Sequence, residues 1–166
     1  MKFLVSVDEV KRRGIVHQNV DAKLISIAIM RAQDINVQPA LNTCLYKELL
    51  RRVEDNDWNA NYRELMNEYV LPCLIAFVDY RACDLVTDRV MNRGTGTLQD
   101  ANFNAMNDTE RNPLRDRLRK DAYFYKERLI GYLKDDNGVK FPLYTNCECK
   151  DENVKQEKTS YRVNWH

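Results

Sequence analysis

Residues 114–133, LRDRLRKDAYFYKERLIGYL, decide the fold of this chain. Their apolar side chains recur every three to four positions, which is the spacing of one face of an α-helix. The stretch therefore predicts a long amphipathic helix from about residue 108 to residue 134, followed by a turn at the Asp-Asp-Asn-Gly sequence of residues 135–138. The predicted apolar face consists of Leu114, Leu118, Ala122, Tyr125, Leu129 and Leu133.

Capping signals predict two helices near the N-terminus. Ser6 and Glu9 have the spacing of a capping box, and Gly14 is expected to close that helix in the left-handed conformation. Asp21 is predicted to cap a second helix that runs to about Asp34. Its apolar residues cover most of the circumference, so we expect it to be central or covered by another subunit.

Residues 36–39 are predicted to break this pattern, because they contain a proline. A third helix is then predicted over about residues 42–54, where leucine or valine recurs every four residues. Asn59 or Asn61 is expected to cap the helix after it.

The fourth predicted helix is long, from about residue 60 to residue 91. Pro72 falls in its middle, where a proline removes one hydrogen bond and clashes with the preceding turn. We therefore expect a kink or a break near Tyr69.

Two segments have a different character. Residues 92–104 suit a short loop or β-hairpin insertion, and their glycines are not followed by the Lys-Ser/Thr of a phosphate-binding loop. Residues 145–166 are predicted to form an extended arm, because their composition is mostly polar. The residues in these two segments that we single out are Gly94, Thr95, Gly96, Thr97 and Leu98, and Tyr161, Val163 and Trp165.

Composition sets the fold class. The chain has 166 residues and is 44% hydrophobic, enough to bury one sizeable core, and its 5 glycines and 4 prolines are too few for an all-β sandwich. We predict an all-α helical bundle, with a helical domain at residues 1–144 and the arm at residues 145–166. The net charge of +1 argues against a dedicated polyanion binder. No apolar run is long enough for a membrane span or a signal peptide, so synthesis in a cytosol is expected.

Candidate catalytic and metal sites are weak. The two histidines, His17 and His166, have no triad pattern around them. Cys147 and Cys149 lack the second ligand pair of a structural zinc site, and no cofactor is expected. An enzyme is therefore not predicted, although a small enzyme with an unrecognised site stays an alternative.

Other polar and thiol residues have ordinary structural interpretations. The acids at positions 79, 84 and 88 are interpreted as ion-paired or solvated residues on a helix face. The cysteines at positions 44, 73 and 83 are interpreted as small buried hydrophobic residues.

The long helix carries a local positive charge. Between residues 111 and 128 there are seven basic residues against three acidic ones, and aromatic residues lie among them. Ala122 and Tyr125 are expected to face the core, while Lys120 and Tyr123 face outward. The residues that could lie near DNA are Arg115, Arg119 and Lys120.

Several blocks of the chain, taken together in this order, have a recognisable pattern. The blocks are residues 25–33, 34–41 (DINVQPAL), Leu45-Tyr46, Leu49-Leu50, residues 69–72 (YVLP), Ala122, Phe124-Tyr125, residues 128–130, Tyr132-Leu133 and Phe141-Pro142. Their combination resembles the head–tail adaptor, or connector, proteins of tailed bacteriophages, and most closely those of phages of Bacteroidetes, including crAss-like phages. The resemblance runs from about residue 5 to residue 144. One departure is the Pro-Ala-Leu-Asn sequence at residues 39–42, where the family pattern often has a glycine.

The resemblance implies a structural virion protein at the junction of capsid and tail. Such subunits form a ring, commonly twelve-fold, that docks under the portal protein, extends the DNA channel and offers an attachment surface to tail or further connector proteins. A ring needs heterologous contacts. The candidate contact residues are Leu24, Ile27 and Met30 on the second helix, together with the residues singled out above in the insertion and the arm.

A different class of function competes with this one. The basic residues of the long helix also suit a small DNA-binding helical protein with a regulatory or packaging role, which would bind DNA in a salt-dependent manner. The adaptor interpretation expects only transient, non-specific proximity to the genome.

Overall fold

The computed structural model describes residues 2–87, 89–91, 94–96, 108–135 and 139–146. The described residues are mostly helical, so the all-α class is confirmed. The helices are α1 (Val7–Arg13), α2 (Ala22–Ala32), α3 (Gln38–Leu41), α4 (Thr43–Asp55), α5 (Ala60–Glu64), α6 (Leu71–Thr87), α7 (Asp108–Lys134) and α8 (Pro142–Thr145). Two π-helical segments, π1 (Gln33–Val37) and π2 (Leu65–Val70), and two strands, β1 (Arg89–Met91) and β2 (Gly94–Gly96), complete the set.

Three predicted helix starts are confirmed by their caps. The Ser6 hydroxyl accepts a hydrogen bond from the Glu9 amide at 3.1 Å, and Asp21 accepts one from the Lys23 amide at 2.9 Å. Asn59, rather than Asn61, caps α5 by accepting from the Tyr62 amide. These side chains satisfy amide groups that have no partner inside the helix.

The predicted left-handed conformation of Gly14 is wrong. Gly14 is extended, with φ −86° and ψ 179°. The backbone at Gly14 instead lies close to Asp79. A Cβ atom at this position would be 2.6 Å from Oδ1 of Asp79. Glycine is needed at this point for lack of space, and the backbone is unstrained.

Asp79 makes that approach because its carboxylate binds the loop that follows α1. The Ile15 amide donates to Asp79 Oδ1 at 3.1 Å, and the carboxylate is buried, with 7% of the residue exposed. The interpretation of this residue as ion-paired or solvated is therefore wrong. Burial raises its pKa to about 6, against the opposing effect of backbone hydrogen bonds from Ile15 and Val16.

The predicted break at residues 36–39 is also wrong. The helical path continues from α2 through π1 into α3, and Pro39 is the second residue of α3. The Gln38 amide bonds to the Gln33 carbonyl, five residues back. This wider turn accommodates the proline ring, which would clash with a carbonyl in a regular α-helix.

Pro72 is accommodated in the same way as Pro39, by a π-helical turn before it. The path is helical from Ala60 to Thr87, and π2 ends two residues before the proline. The kink itself stays a prediction.

The helix that contains Pro72 ends at Thr87, short of the predicted residue 91. The strands β1 and β2 pair in antiparallel register, with Val90 opposite Thr95. Most of the predicted insertion at residues 92–104 lies outside the described residues.

The core is organised around α6, which packs against both α2 and α7. Most of the apolar face predicted for α7 is confirmed, since Leu118, Ala122, Leu129 and Leu133 are buried, while Leu114 and Tyr125 are half-buried. None of the described helices combines the length and the apolar character of a membrane-spanning segment. The arm lies outside the described residues from residue 147 onward, so the predicted domain boundary stays a prediction.

The three helical cysteines differ. Cys73 is fully buried, as predicted, and burial raises its pKa to about 12. Cys83 is half-buried. The interpretation of Cys44 as a small buried hydrophobic residue is wrong, because Cys44 is half-buried and disulfide-bonded.

Candidate interaction surfaces

The predicted contact residues of α2 are only partly accessible. Leu24, Ile27 and Met30 are half-buried, while Ile25, Ala28, Ile29 and Ala32 of the same helix are buried, largely against α6. The apolar circumference of α2 is therefore mostly used inside the subunit.

The other predicted contact residues are placed only in part. Gly94, Thr95 and Gly96 form β2. Thr97 and Leu98 lie outside the described residues, as do Tyr161, Val163 and Trp165 of the arm.

The three predicted DNA-proximal residues have different surroundings. Arg115 is half-buried, and its guanidinium lies over the Tyr80 ring of α6 at 5.5 Å from the ring centre. Arg119 is exposed and pairs with Asp116 at 3.5 Å. Lys120 is exposed, as predicted. Arg115 thus stabilises the contact between α6 and α7 by packing.

A ladder of aromatic rings joins α5, π2, α7 and the segment before α8. Tyr69 stacks on Tyr132 at 3.9 Å between ring centres, and Tyr132 contacts the buried Phe141 at 5.9 Å. Phe141 in turn meets Tyr62 edge-to-face at 5.4 Å. Such pairs add stability beyond the area that they bury.

Cations cover the outer faces of this ladder. Arg52 lies over Tyr62 at 3.9 Å, Arg128 over Tyr69 at 4.9 Å and Lys140 over Tyr132 at 5.5 Å. Burial raises the pKa of the Tyr132 hydroxyl to about 12, with nearby Glu64 adding to the effect. Cations of the same chain therefore cover the exposed faces of these rings. Through Tyr132, the ladder holds the C-terminal end of the described fold against π2.

An exposed aromatic patch lies on α7, where the predicted outward orientation of Tyr123 is confirmed and the exposed Phe124 beside it was missed by the sequence analysis. We define the aromatic patch as Tyr123 and Phe124 of α7. Phe124 is 66% exposed and Tyr123 is 44% exposed, although the Tyr123 ring also touches Phe77 edge-to-face. The spacing could have shown it, since Phe124 falls on the face opposite Leu118, Ala122 and Leu129. A large exposed aromatic side chain is a common feature of contact surfaces.

A second surface, the Trp58 groove, was also missed. It is a cleft of about 330 Å³ between the N-terminal segment, the end of α4 and π2. Its floor is apolar, because Leu4, Met66 and Leu71 are buried, while Arg63 and Asn67 are exposed at its rim. The one available signal was a lone tryptophan in an otherwise polar linker. The lining residues are Leu4, Val53, Trp58, Arg63, Met66, Asn67 and Leu71.

Metal binding finds no support in the described part of the chain. No group of three or more His, Cys, Asp or Glu side chains there could hold a metal ion. Cys147, Cys149 and His166, weighed above as ligands, lie outside the described residues.

Comparison with known proteins gives one match. The sequence profile of a family of unknown function (DUF6712) matches residues 37–154. Neither a curated protein nor a solved structure matches the chain.

Proposed function

The chain belongs to the DUF6712 family, and we propose that it is a structural subunit of a phage head–tail connector ring. In this proposal the ring docks under the portal protein, extends the DNA channel and attaches tail or further connector proteins. The subunit is a component of the virion at the capsid–tail junction, and it acts by assembly rather than by catalysis.

One observation carries the proposal. The described fold has two different apolar surfaces on different elements, the aromatic patch on α7 and the Trp58 groove beside π2. A ring is built from heterologous contacts, in which one surface of a subunit meets another surface of the next. A subunit with two unlike apolar surfaces fits that requirement.

The packing of the resemblance blocks gives further support. Tyr69, Tyr132 and Phe141 come from three of the blocks and meet in the aromatic ladder. Leu45 and Ile25 come from two others and are fully buried in the same core. The blocks thus behave as parts of one structural unit.

The finer features of the fold have roles in this proposal. The long helix bends at Pro72, the insertion of residues 92–104 contacts a neighbouring subunit, and the arm of residues 145–166 docks on a partner. Tyr161, Val163 and Trp165 would dock by adding a strand to a partner.

Native mass spectrometry of the purified full-length protein tests the proposal. We expect closed species of about twelve subunits, formed alone or with a portal protein, and visible as rings in negative-stain images. A variant that lacks residues 145–166 should keep its helical circular dichroism and assemble more weakly. A protein that forms no ring with or without its portal would contradict the proposal.

A DNA-binding helical protein is the second candidate. Arg117, Arg119 and Lys120 are exposed within one turn of α7, which favours it. It predicts that the free protein binds duplex DNA with an affinity that falls steeply with salt, as fluorescence anisotropy would measure. The connector proposal expects weak binding at every salt concentration.

A further inference from the structure

We infer that the aromatic patch of one copy docks in the Trp58 groove of the next copy, and that this contact propagates the assembly. The inference rests on the proposed connector function and names the two surfaces of its heterologous contact. The occupant of the groove is Phe124 of a second copy of this chain.

The patch has the form of an anchor. Phe124 is 66% exposed on the outer face of α7, and its ring is held edge-to-face against Tyr125 at 5.6 Å. A rigid aromatic side chain loses little conformational entropy when it binds, and such residues dominate the energetics of interfaces.

The groove has the size and the lining for such an anchor. A cavity of about 150 Å³ with apolar walls already holds benzene, and the groove has about 330 Å³. Leu4, Met66 and Leu71 form its buried apolar floor, and Trp58 supplies an aromatic wall. The volume exceeds that needed for the phenyl ring of Phe124.

Charged residues of both signs lie around the two surfaces, so pairs of opposite charge can form across the contact. Asp121 and Glu127 lie three residues before and after Phe124, so both carboxylates flank the ring on the exposed face of α7. Arg63 is exposed at the rim of the groove and forms no ion pair with another described residue. A pair of the opposite polarity is also available. Lys120 lies one turn before Phe124 on α7, and the exposed Glu68 follows Asn67 at the rim of the groove.

The geometry of the contact is heterologous. Each copy offers one patch on α7 and one groove between α4 and π2, so docking leaves a free patch at one end of the pair and a free groove at the other. Repetition adds copies head to tail until the rotation closes a ring or continues as a filament. An isologous dimer would use the same surface twice and would stop at two copies.

The first test compares two exposed apolar positions in the full-length protein. Phe124→Ser should weaken self-association by about 30-fold, the loss typical of a buried aromatic anchor. Ile35→Ser is the matched control, because Ile35 is 57% exposed on π1 and lies outside both surfaces; its association should equal that of the wild type. Sedimentation velocity across a concentration series measures both, and circular dichroism verifies folding.

The second test mixes two defective proteins. Asn67→Trp fills the groove and leaves the patch intact, while Phe124→Ser removes the patch and leaves the groove intact. At a concentration where the wild type assembles, each alone should stay largely monomeric, and their mixture should stop at heterodimers, since only one productive contact can form. A charge exchange adds a check: Arg63→Glu and Glu127→Arg should each weaken association, and the double variant should recover it.

The outcomes separate this inference from the proposed function. Rings that are insensitive to Phe124→Ser, or a mixture that forms large species, overturn the contact and leave the connector proposal standing. Filaments that depend on Phe124 and Arg63 support the contact and count against the ring. A wild-type protein that stays monomeric at every concentration, with and without a portal, overturns both.

Discussion

The two π-helical segments share a local design and differ in what they do. In both, the last amide before the proline bonds to a carbonyl five residues back, Gln38 to Gln33 in π1 and Leu71 to Met66 in π2. Aligned on Pro39 and Pro72, the segments also have nearly the same order of buried and exposed residues. The backbone hydrogen bond before the proline is the same in π1 and π2, and the two segments differ in the chemistry of their side chains.

The π1 segment is a polar clamp inside the fold. Gln33 is fully buried, accepts a hydrogen bond from the Leu4 amide at 2.6 Å and donates to the Tyr46 hydroxyl at 3.1 Å. Asn36 accepts from the Arg81 guanidinium of α6 at 2.7 Å. The positions that correspond in π2 are Met66 and Tyr69, which line the groove and stack in the aromatic ladder. One wide turn therefore locks the core, while the other borders an open surface.

The strongest way to break the comparison is to give π1 the residue of π2. Gln33→Met removes the partners of the buried Leu4 amide and Tyr46 hydroxyl, and each unsatisfied buried group costs about 1–3 kcal/mol. We expect the free energy of unfolding to fall by about 3 kcal/mol in urea titrations. Met66→Leu is the matched change in π2 and should cost less than about 1.5 kcal/mol. Equal losses at both sites would contradict the difference between the segments.

A smaller effect tests a second buried polar contact, at Asp79 of α6. Its pKa is about 6 in the folded protein against the ordinary 3.8, so the folded protein holds this proton more tightly than the unfolded chain. The stabilising contribution is therefore complete below about pH 4 and is lost as the pH rises through 6. Asp79→Asn removes the titration, and its free energy of unfolding relative to the wild type should increase by about 2 kcal/mol between pH 4 and pH 7. A difference that does not change with pH would show that burial of this charge costs nothing.

The smallest effect concerns the prolines themselves. Because each π segment already relieves the steric clash, Pro39→Ala and Pro72→Ala should not stabilise the fold. Both should lower the free energy of unfolding by about 0.5–1 kcal/mol, since alanine leaves the unfolded chain more freedom. Thermal denaturation of the two variants side by side measures this. A gain in stability at either site would mean that its proline is still strained.

The sequence analysis was correct where a feature depends on residues close in sequence, and it was wrong where the feature depends on distant segments or on an unusual turn. Ser6, Asp21 and Asn59 were assigned correctly as caps because a cap depends on amides two or three residues away. The predicted break at residues 36–39 failed because the proline rule assumes a regular α-helix, and a π turn changes the carbonyl that faces the ring. Asp79 was misread because its partners, the amides of Ile15 and Val16, lie more than sixty residues away.

The two candidate surfaces differ in the same respect, namely whether residues close in sequence or distant segments form them. Periodicity along α7 was sufficient to identify its buried face, and it contained the information that Phe124 points outward. The Trp58 groove needed the N-terminal segment, the end of α4, the linker that contains Trp58 and the helical path from α5 through π2 to α6 to meet in space. The contrast between Gln33 and Met66 likewise depends on whether Leu4 and Tyr46 lie within hydrogen-bonding distance. Local hydrogen bonds and spacing thus determine which residues form helices and which face is apolar. Packing between distant segments determines which polar groups are satisfied and which apolar surface is left for a partner, because burial is a property of the whole assembled chain.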